Sequence, residues 1–467
     1  MKICQKDLQE SLTALLARHK VPGASVALYY DGEFCTAAAG VTNVNTGVEL
    51  TEDTVMQIGS IAKVFTATLV MQLVDRGLVD VDAPVCRYLP KLALRDPQAL
   101  EQIAVKMLLN HTSGIDGEFI PDHGHDEETI EKAIARFAKL GQIFSPGADF
   151  SYCNAATVVA GYLAQQTTAT SWYRLIQEHI FNSLNLQHVA TLPEEALLHR
   201  AAVGHYINPA IREDPVRTSH AFLPLSFAPA GTALMMSARS LVEFAVAHMN
   251  DGVGLNGARL ISSSSAGAMR TYTVQNKGKA YTYAGGIGLG WMISDDGLLH
   301  HAGGGPGTFA VLYAHPRMNW AAAILTNADH GLALINELIG PWLEDLGTIK
   351  PFGMTDIDVT STLHHVDPEP YVGIYQDIAH RYEVCRKGDG LTISKQTKIA
   401  YYENISTRPT APAPLRPIDT HTFLVDTELV EHDKLFAAFR LFVFRNPGVS
   451  GSMQHLGNSM RLYRRVA

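Results

Sequence analysis

Gly59-Ser60-Ile61-Ala62-Lys63 opens an apolar stretch and sets a hydroxyl and an amine three positions apart. On a helix that spacing is one turn, so the Lys63 amine can reach the Ser60 hydroxyl on the same face. A serine in the first turn also meets unpaired backbone N–H groups and the positive end of the helix dipole. Serine needs a base to become a nucleophile near neutral pH, and a lysine serves when burial or neighbouring cations favour its neutral amine. An N-cap serine followed by a snorkelling lysine would look the same in isolation. Two features favour chemistry here. Ser60 is the only serine of the chain with a lysine three positions on, and Lys63 is the sole charge from Ile58 to Met71. A lone charge in an apolar stretch is costly unless it serves a purpose.

At the head of a long helix, S-x-x-K resembles the mark of the serine β-lactamases and penicillin-binding proteins. The flanking text is similar to the class C-like branch: DTVMQIGSIAKVFTATLVMQLVDRGLVDVDAPVCRYLP, then LLNHTSGI at Leu108–Ile115. Further on stand SPGADFSYCN at Ser145–Asn154, APAGTALMMSARSL at Ala228–Leu241, GIGLGWMI at Gly286–Ile293 and HHAGGGPG at His300–Gly307. The match runs in order from Val21 to Asn327 and covers roughly two-thirds of the chain.

The resemblance implies roles for further residues. The second motif of that family, Tyr-x-Asn, falls on Tyr152-Cys153-Asn154. A phenol beside a cationic lysine, its pKa lowered, could take the serine proton and return it to the leaving group. Asn154 could hydrogen-bond Lys63 and a substrate amide. The third motif takes its His-x-Gly form in His301-Ala302-Gly303, where glycine lets backbone and substrate approach closely. His301 could donate a hydrogen bond to Tyr152 or to the substrate. The backbone N–H groups of Ser60 and Gly304 would form the oxyanion hole, each donor typically worth about 3 kcal/mol. Tyr402-Glu403-Asn404 and His455-Leu456-Gly457 repeat the patterns without the helix or glycine run that should follow, and are set aside. His301 stands where many β-lactamases carry lysine, which weakens recognition of a substrate carboxylate. That form is common among the family's esterases, D-amino-acid peptidases and penicillin-binding-type thioesterases. No acidic residue stands in a recognisable deacylating motif.

These residues need elements to hold them. Leu8, Leu12, Leu15 and Leu16 predict an opening amphipathic helix. Ala24–Tyr30 and Glu33–Gly40 predict two strands joined at Asp31-Gly32, a hairpin signal. Ile61–Arg76 predicts the helix that carries Ser60 and Lys63, and further helices are expected at Glu128–Leu140, Ala155–Gln166, Ser171–Phe181 and Ala238–Asn250. Strands return at Leu298–His301, Thr308–His315 and Ala321–Asn327, and a helix from Leu332 to Leu346, kinked at Pro341, closes the unit. Two strands at the start and three at the end, around a helical insert, predict one antiparallel sheet completed by both ends of the unit.

Composition shifts after Gly347, and residues 348–366 read as a linker. Tyr371–Tyr375, Tyr382–Arg386, Leu391–Lys395, Thr422–Val425, Phe436–Phe444 and Met460–Tyr463 read as strands, with Thr407–Pro417 a proline-rich loop. The expected architecture is thus an α/β catalytic domain over residues 1–347, its antiparallel sheet flanked by helices with an all-helical subdomain. A small β domain follows over 367–467, and the resemblance implies an antiparallel, lipocalin-like barrel.

Composition excludes some functions. A net charge of −9 without a Lys/Arg cluster argues against nucleic-acid binding. Five scattered cysteines, odd in number and without C-x-x-C spacing, suggest neither a disulfide framework nor a zinc site. Asp122-His123-Gly124-His125-Asp126 reads as a solvated polar loop near the site entrance, and Gly285–Gly290 lacks the Lys and Ser/Thr of a phosphate loop. Neither metal nor organic cofactor is expected, no apolar run approaches a membrane span, and a cytoplasmic location is expected. The partners expected are a small-molecule or peptide acyl substrate and, for a thioesterase, an acyl carrier protein. Three readings follow: an esterase or D-residue peptidase working through acyl-Ser60, a thioesterase or peptide cyclase of natural-product biosynthesis, and a non-catalytic penicillin-binding sensor. Efficient β-lactam turnover is not expected.

Overall fold

The computed structural model describes residues 5–118, 122–126, 128–207, 214–275, 285–345, 362–363, 365–399, 406–425, 440–449 and 451–466. Helix α1 (Gln5–His19) buries Leu8, Leu12, Leu15 and Leu16, the face that the leucine spacing predicts. Strands β1 (Gly23–Tyr30) and β2 (Glu33–Gly40) turn at Asp31 and Gly32, whose φ values of 48° and 93° match the twist of a tight hairpin. Helix α2 (Ala62–Asp75) follows, then α3 (Asn154–Thr168), α4 (Ala238–Met249) and, after the strands, α5 (Leu332–Asp345) with Pro341 inside it. The helices expected at 128–140 and 171–181 are segmented. The first is Thr129–Ile134 plus a 3₁₀ turn at Phe137–Lys139, and the second breaks after Trp172–Ile176 into a π turn at Gln177–Phe181.

Six more strands complete the main sheet: β3 (Val274–Gln275), β4 (Gly286–Ile287), β5 (Met292–Ile293), β6 (Leu299–Gly305), β7 (Thr308–His315) and β8 (Trp320–Thr326). The order is β2-β1-β8-β7-β6-β5-β4-β3, antiparallel throughout, with Ala24 opposite Thr326 and Tyr30 opposite Trp320. Five of these strands are predicted from sequence. The other three hold two residues each, too few to show an alternating pattern. Helices α1 and α5 share one buried cluster on the sheet, while α2, α3 and α4 belong to the larger core, with α4 lying on β1, β7 and β8. Among α2 residues, Ala62 to Met71 are all buried, so this helix is central and its lysine has no route to snorkel into water.

The C-terminal part is a closed eight-stranded barrel, each strand antiparallel to the next. Its strands are β9 (Gly373–Gln376), β10 (His380–Lys387), β11 (Gly390–Thr397), β12 (Ala413–Pro417), β13 (Thr422–Val425), β14 (Leu441–Pro447), β15 (Met453–Asn458) and β16 (Arg461–Arg465). Buried aromatic rings fill it, Tyr375, Tyr382, Phe423 and Phe444 among them. Strand β12 corrects the expectation of a loop over 407–417. Its prolines flank the buried Leu415, and its ladder to β11 is only three residues long, so little pairing is lost to the missing N–H groups. Strand β15 is a second addition. Most of the expected linker and Tyr402-Glu403-Asn404 lie outside the described residues.

The barrel sits on the segment that carries Tyr152. The Tyr152 amide donates to the Met460 carbonyl at 2.8 Å, and the Leu462 amide to Ser151 Oγ at 3.0 Å. Arg445 pairs with Asp149 at 3.0 Å, both side chains largely buried. The ring of His455 meets the Ile143 carbonyl at 2.9 Å, and the Ile378 amide donates to Asp116 at 2.9 Å.

Candidate active site

Ser60 stands in a 3₁₀ turn, Gly59–Ile61, that feeds directly into α2. Gly59 has φ of +52°, and a Cβ on it would lie 2.6 Å from the Gly304 nitrogen. A Cβ on Gly303 would lie 1.9 Å from the Ile58 carbonyl oxygen, so the glycine run of β6 is what lets the strand press against the serine turn. Among the described residues β6 pairs with β5 only through Leu299 and His300, which leaves 301–305 as a sheet edge beside Ser60.

Lys63 is 2% exposed, with Nζ 3.0 Å from Ser60 Oγ and also donating to the Ala230 carbonyl. Burial brings its pKa down to about 7, Glu118 opposing and Arg461 assisting. A large fraction is therefore a neutral amine near neutral pH, able to accept the serine proton. Tyr152 is different. The sequence suggests a lowered phenol pKa, but burial raises it, against the pull of a hydrogen bond with Ser60 and of the Arg461 charge. Lys63 faces the ring of Tyr152, 4.8 Å from its centroid. The phenol accordingly stays protonated and is suited to passing a proton on, with Lys63 the better base.

Asn154 and His301 make contacts other than those that the resemblance implies. Asn154 donates to Glu118 Oε1 at 2.8 Å, while the polar contacts of Lys63 are with Ser60 and Ala230. The reason is geometric: Asn154 opens α3 beside the loop that carries Glu118. His301, 2% exposed, has Nδ1 2.7 Å from the Ala302 carbonyl, and burial with the nearby Lys63 pushes its pKa down to about 3. A neutral imidazole whose Nδ1–H donates to a carbonyl leaves Nε2 as an acceptor. His301 therefore offers an acceptor at the site instead of a donor. Its Nε2 is buried without a partner among the described residues, and its ring centroid is 6.4 Å from that of Tyr152.

A cavity of about 490 Å³ brings Ser60, Tyr152, Asn154 and Gly304 together with further residues. Glu118 is one, and Leu223, Phe227 and Thr232 come from the helical part. His380, Lys395, Thr397, Ile399 and Arg461 come from the barrel. Arg461 forms an ion pair with Glu118 at 2.8 Å and places its guanidinium 5.3 Å from the centroid of the Tyr152 ring. Glu118 is thus an acidic residue at the site, engaged by both Arg461 and Asn154. Thr232 falls in the Ala228–Leu241 motif, but no local pattern marks Glu118 or the barrel residues, which reach the site only when barrel and body meet. Among the described residues no group of three His, Cys, Asp or Glu could hold a metal. In the 122–126 loop, Asp122 accepts from the Gly124 amide and Asp126 pairs with Lys132.

Residues 8–338 match the family described as Beta-lactamase. Penicillin-binding protein 4 of Amycolatopsis lactamdurans is 36% identical over 345 residues, which is 73% of this chain and 90% of that one. The crystal structure of SurE with D-Leu overlays at a TM-score of 0.77 and 22% identity, covering 99% of both chains. The D-amino acid amidase of Ochrobactrum anthropi SV3, complexed with L-phenylalanine amide, overlays at 0.61 and 24% identity over 73% of this chain and 99% of that one. At these identities the two overlays speak for the fold. The Ser60, Lys63 and Tyr152 cluster lies inside the matched span, and the chain belongs to the β-lactamase family, whose members of this fold are serine hydrolases.

Proposed function

We propose that this protein transfers acyl groups through an ester on Ser60, with hydrolysis of an ester, amide or thioester of a D-residue substrate as the outcome. The observation that carries the reading is the 3.0 Å contact between Ser60 Oγ and a buried lysine whose pKa lies at about 7. Lys63 takes the hydroxyl proton as Ser60 attacks the carbonyl, and the N–H groups of Ser60 and Gly304 receive the oxyanion. Tyr152 relays a proton to the leaving group. Water then attacks the acyl-enzyme, giving acid and free serine. Two likenesses support a D-residue preference: SurE was solved with D-Leu, and the amidase is one for D-amino acids. The edge at 301–305 suits an extended peptide laid along it.

A second reading is transfer of the acyl group to an amine, as in a peptide cyclase fed by a carrier protein. It is favoured by the two-sided cavity, in which barrel residues His380, Lys395 and Thr397 face the catalytic wall and leave room for an acceptor. Intact-mass detection across p-nitrophenyl esters, D- and L-peptide thioesters and penicillin tests both readings. The expected result is a covalent adduct that disappears in Ser60→Ala, forms faster from D-residue donors, and yields acid; a cyclic amide product would favour the second reading. An adduct of unchanged mass in Ser60→Ala removes the proposal. Nitrocefin should be a poor substrate, because the neutral His301 offers no full charge to the ring carboxylate. A kcat/KM for nitrocefin near about 10⁶ M⁻¹s⁻¹ would contradict that.

A further inference from the structure

The ion pair between Glu118 and Arg461 joins the catalytic body to the barrel on the wall of the cavity that holds Ser60 and Tyr152. Its surroundings make it electrically conspicuous. The groups that face Lys63 and Tyr152 are His111, whose ring centroid is 4.4 Å from that of Tyr152, His301, Cys153, Glu118 and Arg461. Burial keeps His111 and His301 neutral and pushes the Cys153 thiol up to about 12. Glu118 and Arg461 are then the formal charges of this shell among the described residues. They lie close enough to neutralise each other, and Arg461 also stacks its guanidinium toward the Tyr152 ring at 5.3 Å. The same short hairpin turn carries Met460, whose carbonyl holds the Tyr152 amide.

We propose that Arg461, supplied by the barrel, and Glu118 form a charge-balanced positioning pair that sets the protonation of the Ser60, Lys63 and Tyr152 unit. The pair touches no bond that is made or broken. It acts through Lys63: an uncompensated carboxylate nearby would hold the amine protonated, and an uncompensated guanidinium would drive its proton off. The assignment rests on the acyl-Ser60 reading above, and it gives the barrel a part in the chemistry as well as in shaping the cleft.

The test is the pH dependence of acylation by p-nitrophenyl acetate, followed as single-turnover adduct formation in the full-length chain. Wild type should gain rate as pH rises through about 7, as Lys63 loses its proton. Arg461→Gln should move this limb to higher pH and Glu118→Gln to lower pH, each by on the order of one unit. The double variant, again neutral as a pair, should return close to wild type, and Arg461→Lys should keep the limb nearly in place. A merely structural bridge would lower the rate in both single variants without opposite movements of the limb, and that result overturns the inference. Should Arg461→Gln not fold, Glu118→Gln decides alone: a downward shift supports the pair and an unmoved limb overturns it. Absence of any wild-type adduct would overturn the acyl-serine reading, and the inference with it.

Discussion

The two walls of the cavity are made in different ways. On the body side, Ser60 and Lys63 come from a single helical turn, and Gly303 and Gly304 from one strand pressed against it at near-contact distance. On the barrel side, Lys395 and Thr397 from β11 and Arg461 from β16 are single side chains, brought in by folding of a second unit. Short-range geometry thus builds the nucleophile and its base, whereas long-range docking supplies the opposite wall and the charge facing Tyr152. The first kind of wall tolerates almost no change in backbone position. The second can be altered one side chain at a time while the nucleophile stays in place.

Perturbing the body wall should have the largest effect. Lys63→Met and Tyr152→Phe should each slow acylation by about 10²–10⁴-fold, and the double variant should lose much less than the product, since both serve one proton path. Single-turnover adduct formation measures this, and multiplicative losses would separate their roles. Cutting the docking surface comes next. Asp149→Ala leaves Arg445 charged and buried, at a cost of about 3 kcal/mol, read as a lower midpoint of denaturant unfolding with turnover falling in step. Unchanged stability would mean that the barrel is held elsewhere.

Smaller effects should follow on the barrel wall itself. Thr397→Trp fills part of the cavity and should lower kcat/KM for a peptide thioester by about 10-fold, mainly through KM, and much less for p-nitrophenyl acetate. Equal losses on both substrates would place Thr397 with the chemistry. The smallest change is expected from His455→Ala, which removes a bond to the Ile143 carbonyl outside the cavity. It should cost about 1 kcal/mol of stability and leave kcat close to wild type. A 100-fold drop in kcat without unfolding would restore His455-Leu456-Gly457 as a functional motif.

What the sequence reveals follows the same division. Ser60 and Lys63 are legible because helical spacing alone brings them together; β1 and β2 are legible from the hairpin signal at Asp31-Gly32, and β7 as an apolar run between a glycine cluster and Pro316. Tyr152, Asn154 and His301 are found through resemblance to the family, which marks positions without fixing which way a proton or an amide points. Hence Asn154 turns to Glu118, and His301 presents an acceptor. The raised pKa of Tyr152 depends on its enclosure between body and barrel, which no local pattern records. Arg461 carries no signal at all: an arginine opening a strand after a polar turn is ordinary, and only closure of the barrel aims it at Glu118.

The fastening of Ser151 to Leu462 spans 311 positions of chain, and the neighbouring bond from Tyr152 to Met460 spans a similar length. Contacts so distant in sequence must meet the entropy of closing a very long loop, which makes them slow to form compared with one turn of a helix. A refolding molecule should therefore regain its helices, and even its serine–lysine pair, before the segment bearing Tyr152 is pinned. During that interval the chain has its nucleophile but lacks a fixed proton donor, so it stays chemically quiet. In a time course, circular dichroism should recover first, and competence to form the acyl adduct should trail it with a distinct lag.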